Sequence, residues 1–206
     1  KVTVRSEESV LKEAEMLTKI PNFKGYIHDV GGPTANFRGP SCEKQLEHGL
    51  CKGKKCLAPT ACKNLHVDHK EYLEMLRKLR KIKGVKKVFI RSGIRYDYLI
   101  EDKDDKFIRE LIEHHVSGQL KVAPEHTEDH VLKLMRKPSF EMFERFTSRF
   151  KQICRREELK YQLIPYFISS HPGCTERDMQ NLASKVLGKL NFNLEQVQDL
   201  TPTPMT

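Results

Sequence analysis

The sequence predicts an α/β protein built on parallel strands. Apolar residues recur at helical spacing in one segment after another, and short runs rich in β-branched and aromatic residues separate those segments. Helix-length connections join consecutive runs, as parallel strands require. Such crossovers are right-handed, in an open doubly wound sheet or in a (β/α) barrel. In either, ligands sit outside the carboxyl ends of the strands.

The elements follow in order. Residues 7–20 place Val10, Leu11, Ala14 and Leu17 on one helical face, with Glu7 and Glu8 in the first turn, where the helix dipole favours acids. Residues 24–30 read as a strand, and residues 43–66 as an irregular, cysteine-bearing insertion in a single domain spanning 1–206. A helix over 69–83 carries Tyr72, Leu73, Leu76 and Leu79 inward and stops at Gly84. A strand over 86–92 precedes a helix over 104–116, with Phe107, Ile108, Leu111 and Ile112 apolar. His114 and His115 close that helix, where the dipole favours imidazolium. After a strand over 119–124, Thr127 caps a short helix that Pro138 breaks. Ser139 caps a longer helix with Phe140, Phe143, Phe146 and Phe150 as a core stripe. A strand over 161–168 leads to a helix capped by Thr175, with Leu182, Val186 and Leu187 inward, and residues 194–200 form the last strand.

The 206 residues carry 37 Lys and Arg against 28 Asp and Glu, a net charge of +9. That excess suits nucleic acid, a nucleotide or an acidic partner. A solvated basic face accounts for it somewhat better, because the cations alternate with apolar residues on helices ("LRKLRKIKGVKK"). Trp is absent, and no aromatic–basic interleaving provides a stacking platform for single strands. No apolar run approaches the roughly 18 residues of a membrane span. The first ten residues lack the apolar core of a signal peptide. Six cysteines without an export signal predict a reducing, cytoplasmic setting, where clustered thiols do metal or redox chemistry.

Five strand ends carry Gly or Pro with hydroxyl, charged or imidazole groups: "GGPTAN", "RSGIRYD", "APEHT", "SSHPGCT" and "TPTPMT". Each alone is ordinary turn composition; converging on one face, they would build a polar, ligand-sized site. Gly31-Gly32-Pro33-Thr34 lets backbone approach a ligand that a Cβ would block, although it is neither a dinucleotide fingerprint nor a P-loop. Residues 91–97 supply a hydroxyl, two guanidiniums and a carboxylate, suited to a ribose and a carboxylate group. Glu125 and His126 are neighbours that need not face one another, and His171 reads equally as a loop residue. A hydrolase built on Glu125 or His171 has no nucleophile elbow to support it. Cys42, Cys51, Cys56 and Cys62, followed by His66 and His69, offer ligands for zinc or an iron–sulfur cluster, without the close pairing of a zinc finger. Cys154 and Cys174 read as structural.

Taken together, "DVGGPTAN", "SGIRYD", "HHVSGQLKVAPEH", "LKLMRKP", "YFISSHPG" and "TPTP", in that order, resemble the YgiQ family of radical SAM proteins over essentially the whole chain. More distantly, "APEH…VLKLMRKP" followed by "FISSHPG" is similar to the fourth and fifth strand regions of radical SAM methylthiotransferases. The resemblance implies a partial (β/α)6 barrel binding S-adenosylmethionine and a 4Fe-4S cluster, whose reduction yields a 5′-deoxyadenosyl radical that abstracts a substrate hydrogen. It implies that Gly31, Gly32, Pro33 and Thr34 receive the cofactor's amino group, with Pro33 where an acidic residue is common. Ser92 and Arg95 would meet the methionyl or ribose part, Glu125 would face the cofactor, and residues 168–173, including His171, would flank the adenine. The superfamily's C-x3-C-x2-C cluster loop has no counterpart here. The first strand and the catalytic cluster ligands are therefore expected upstream, and these residues alone are expected to be inactive. Cys42, Cys51, Cys56 and Cys62 would then serve an auxiliary Fe-S or zinc site. A reductant would be one partner and the substrate, RNA or protein among the candidates, another. The rival expectation is a non-enzymatic basic module that binds metal through these cysteines and contacts nucleic acid.

Overall fold

The computed structural model describes residues 4–31, 36–39, 41–49, 51–53, 56–190 and 197–202. It is a mixed α/β structure with parallel sheets. Strands β1 (Tyr26–Ile27) and β2 (Lys87–Val88) pair in parallel, and β3 (Gln119–Glu125), β4 (Gln162–Ser169) and β5 (Val197–Asp199) form a second parallel sheet in sequential order. Beyond its assigned residues the first pair continues through Phe89 N–H to Ile27 O (2.8 Å) and Val30 N–H to Phe89 O (3.0 Å). His115 ties the turn before β3 to β2. Its Nδ1 donates to Val88 O (2.8 Å), and its carbonyl accepts from Ile90 N–H (2.9 Å).

Helices cover the sheets. They are α1 (Glu7–Leu17), α2 (Glu43–His48), α3 (Lys70–Lys81), α4 (Tyr96–Leu99), α5 (Lys106–Glu110), α6 (Asp129–Leu134), α7 (Phe140–Arg156) and α8 (Glu176–Ser184). Wider π turns over Leu111–His115 and Lys185–Lys189 extend α5 and α8. Ser6 caps α1 by accepting Ser9 N–H (3.2 Å), and Thr175 with Asp178 forms a reciprocal capping box on α8. On α3, Tyr72, Leu73, Leu76 and Leu79 are buried, and the Tyr72 hydroxyl donates to Val30 O (2.6 Å), fastening the helix to the tail of β1. The α7 phenylalanines are all buried, with Phe143 and Phe146 against Tyr96 at ring separations of 5.6 and 5.7 Å. In β3 and β4 alternate residues are buried: Leu120, Val122 and Pro124, then Leu163, Pro165 and Phe167. One face of that sheet is thus closed by helices, while the other is only partly covered. No helix is long and apolar enough to cross a membrane.

Several local expectations are corrected. Thr127 does not cap α6. Glu128 holds the cap position, and the Asp129 carboxylate reaches forward to accept Phe140 N–H (2.9 Å) at the start of α7. Ser139 sits at the α7 cap without a side-chain hydrogen bond, because Asp129 takes that role. Leu187 is 56% exposed, because the π turn rotates it outward. The cysteine-bearing insertion contains helix α2, and residues 91–97 run into helix α4. His115 is fully buried, with a pKa lowered to about 4 by desolvation, and burial also lowers His114. Desolvation outweighs the helix dipole at both, so neither is a favoured imidazolium.

Candidate functional site

The site is built from the strand tails, which are tied to one another in pairs. Asp29, after β1, accepts from the backbone N–H groups of Arg91 (2.9 Å) and Ser92 (3.2 Å) and from the Ser92 hydroxyl. Six residues past Val30, the buried Asn36 side chain reaches the same tail: Oδ1 accepts Arg95 N–H (2.8 Å) and Nδ2 donates to Arg95 O (3.1 Å). Asn36 Nδ2 also contacts Nε2 of His69 (3.1 Å), whose Nδ1 lies 2.6 Å from Asp102. An amide donor at Nε2 leaves that nitrogen as acceptor, so the proton sits on Nδ1 and points at the carboxylate. Burial lowers the His69 pKa despite Asp102, in keeping with a neutral ring stacked on Phe107 at 4.3 Å. Both nitrogens are thereby used inside the fold, which removes His69 from the candidate metal ligands beside the cysteines.

The second sheet is knit in the same manner. His126 is fully buried; Nδ1 accepts Glu128 N–H (3.0 Å), so Nε2 carries the proton toward Cys174 Sγ, 3.4 Å away. Burial lowers His126 and raises Cys174, so this pair is a neutral imidazole and a thiol. Ser169, at the end of β4, and Ser170 after it donate to Asp199 of β5 (3.1 Å from Ser170) and hold its carboxyl below the usual carboxylate range. Between the two sheets, burial raises the Tyr96 phenol, and the carboxylates of Asp97 and Glu125 add to that rise.

Glu125 is the least satisfied group on this face. It ends β3 at an irregularity in the register with β4, with a backbone φ of 70°, a conformation that costs a non-glycine residue on the order of 1–3 kcal/mol. Oε1 accepts from Lys137 Nζ (2.9 Å); Oε2 is buried with no partner among the described residues. A carboxylate already neutralised on one oxygen is suited to accept a hydroxyl on the other.

The other expected residues fall as follows. Gly31, at φ 150°, takes a backbone conformation that L side chains rarely adopt. Gly32, Pro33 and Thr34 lie outside the described residues. Ser92 is exposed and committed to Asp29. Arg95 is half-buried and forks onto buried Asp97, with Nε to Oδ1 at 2.8 Å. His171 lies in the tail after β4, with Nδ1 turned to its neighbour's carbonyl, Pro172 O (2.8 Å).

The cysteine segment is closed at its base. Ser41 O accepts His66 N–H (2.6 Å), and the Ser41 hydroxyl bonds the Tyr98 hydroxyl (2.7 Å), so the segment hangs from α4. Within it Cys56 O accepts Cys62 N–H (2.8 Å). Cys42 is half-buried; Cys51, Cys56 and Cys62 are exposed. Burial pushes the Cys56 thiol up, and Cys62, Cys51 and Cys42 add to it, so the four thiols share one neighbourhood. A tetrahedral zinc with Zn–S bonds of about 2.3 Å needs sulfurs about 3.8 Å apart. Among the described residues the three-ligand group that comes within 4.8 Å is instead Glu128, His130 and Asp178, whose Asp178 is already held by Thr175 and His130.

Asn36, Asp29 and Lys137 are the polar residues of this face that the sequence left unassigned. Asn36 and Asp29 stand inside "DVGGPTAN", so that stretch carried the signal.

Comparison with known proteins adds relatives without a stated activity. The chain is 58% identical over 205 residues to a protein of Clostridium perfringens strain SM101 named UPF0313 protein, covering all of this chain and 31% of that relative. It is 56% identical over 200 residues to a UPF0313 protein of Clostridium botulinum strain 657, covering 97% of this chain and 31% of the relative. The chain therefore spans about a third of the length of these curated relatives. No protein-family model matches it.

Proposed function

We propose that this chain is the S-adenosylmethionine-binding core of a radical SAM enzyme, a partial (β/α)6 barrel related to the YgiQ proteins. Parallel pairing in sequential order within each sheet is what the barrel requires. The observation that carries the reading is Glu125, with a buried, unpartnered Oε2 and a left-handed backbone at a strand's carboxyl end. When bound beside a reduced 4Fe-4S cluster, S-adenosylmethionine supplies the radical that abstracts a substrate hydrogen. No C-x3-C-x2-C spacing occurs in the 206 residues, so on this reading the ligands of that catalytic cluster lie outside them.

The chain's own residues bind and orient. Glu125 Oε2 accepts a hydroxyl of the cofactor ribose while Lys137 neutralises its other oxygen. The Gly31 carbonyl, freed by the glycine conformation, accepts from the cofactor's amino group. Asp29 and Asn36 hold the first two strand tails in register so that these acceptors stay aimed. Cys42, Cys51, Cys56 and Cys62 would supply the thiolate ligands of a second, auxiliary iron–sulfur or zinc site.

The test is calorimetric titration of S-adenosylmethionine into anaerobically reconstituted full-length protein, with Glu125→Gln beside it. Removing one charge-assisted acceptor, at about 1.4 kcal/mol or more, weakens binding at least about tenfold. Reconstituted full-length protein that neither binds S-adenosylmethionine nor releases 5′-deoxyadenosine refutes the reading.

A further inference from the structure

The polar faces of α3 and α5 meet across an open cleft of about 640 Å³. Arg77, Arg80 and Lys81 line it from α3, and Lys106 and Arg109 from α5. Two carboxylates share it, and the Glu110 carboxyl is already bound by Arg77 Nε (3.0 Å) and Arg80 (2.8 Å). Its hydrogen bond to Arg77 holds it below the usual carboxylate range. Burial and the adjacent Arg80 lower His114, so it adds no acid of its own and stays neutral.

The cleft therefore keeps a positive excess that its own anions do not cancel. Lys81 and Arg109 make no ion pair among the described residues. The adjoining cleft, about 550 Å³, shares Arg77 and Lys106 but balances its cations with Asp68, Glu74, Glu101, Asp102 and Asp104. The potential is thus local to the first cleft and does not merely reflect the net charge of +9.

We infer that this cleft binds the phosphodiester backbone of a nucleic-acid strand. The cations do not converge on one point, as a single phosphate would require. They are strung along two walls, Arg77 to Lys81 over a helical rise of about 6 Å and Lys106 to Arg109 over about 4.5 Å. No Phe, Tyr or Trp lines the cleft among the described residues, so it offers backbone contacts rather than a stacking platform for bases. A lipid surface would ask for an apolar face beside the basic one, and this lining has none. The inference stands on the outer helices and is independent of the cofactor site.

Anisotropy of a short labelled single-stranded RNA with the full-length protein tests it, across a salt series. With about four phosphates contacted, affinity falls about 50-fold between about 50 and 200 mM salt. Lys81→Ala with Arg109→Ala reduces that fall to about 7-fold, as loss of two contacts predicts. Lys133→Ala with Lys160→Ala, an equal change in net charge elsewhere, leaves it unchanged. An equal effect of both pairs, an unaltered salt slope in the first, or displacement of the RNA by inorganic phosphate at constant ionic strength overturns the inference.

Discussion

His115 makes stability depend on pH in a way that one substitution can isolate. The ring, at the end of the π turn and against β2, is fully buried, donates from Nδ1 to Val88 O, and leaves Nε2 buried without a partner among the described residues. Protonation would put a charge on that unpartnered nitrogen, so desolvation lowers its pKa from 6.5 to about 4. In the unfolded chain the imidazole takes up its proton as pH falls through about 6.5, while the folded chain refuses it until about pH 4. Protons then favour the unfolded state across that window. The lost stability grows as pH falls and levels off below about 4. A displacement of about 2.5 units corresponds to about 3 kcal/mol. His115→Asn places an amide N–H near Nδ1 and removes the titration. Urea unfolding at a series of pH values from 7 to 4 should show the two proteins converging, with the parent losing about 3 kcal/mol more than the variant. His69 and His126, also lowered but without contact to His115, contribute equally to both and cancel in the difference. Parallel stability curves for parent and variant would refute the argument.

Three further outcomes follow from named contacts. Asn36→Ala leaves the Arg95 N–H and carbonyl and His69 Nε2 without partners and should cost about 3 kcal/mol in urea unfolding; a cost under about 1 kcal/mol would mean that water replaces the amide. Thr175→Ala removes the α8 capping box and should cost about 1 kcal/mol, with Thr175→Ser restoring most of it. Cys56→Ser in the full-length protein should lower its iron or zinc content, measured by elemental analysis, and unchanged content would remove the auxiliary site.

What the sequence revealed was set by how local each signal is. Apolar spacing located α1, α3, α7 and α8 and strands β1 to β4, because burying a face imposes that spacing directly; β5 was located as well, although its three residues are exposed. Thr175 was readable because the capping box lies within four residues. Thr127 and Ser139 misled because the carboxylate that caps α7 comes from Asp129, eleven residues before Phe140. The network of Asn36, His69, Arg95 and Asp102 joins residues 33 to 59 positions apart and leaves no local pattern. His114 and His115 were misjudged because dipole rules describe exposed helix ends, and His115 is fully buried. At Glu125 the sequence suggested a cofactor-facing acid, but its unpartnered oxygen and left-handed backbone exist only in the fold.

The paired hydrogen bonds between the Asn36 amide and the Arg95 backbone imitate one rung of a β-ladder with a side chain. A rung fixes position, so one amide side chain stands in for a strand neighbour at Arg95. The same amide also fixes the tautomer of His69. Exchanging Asn36 would therefore free the imidazole and loosen the Arg95 tail together, two consequences of a single side chain.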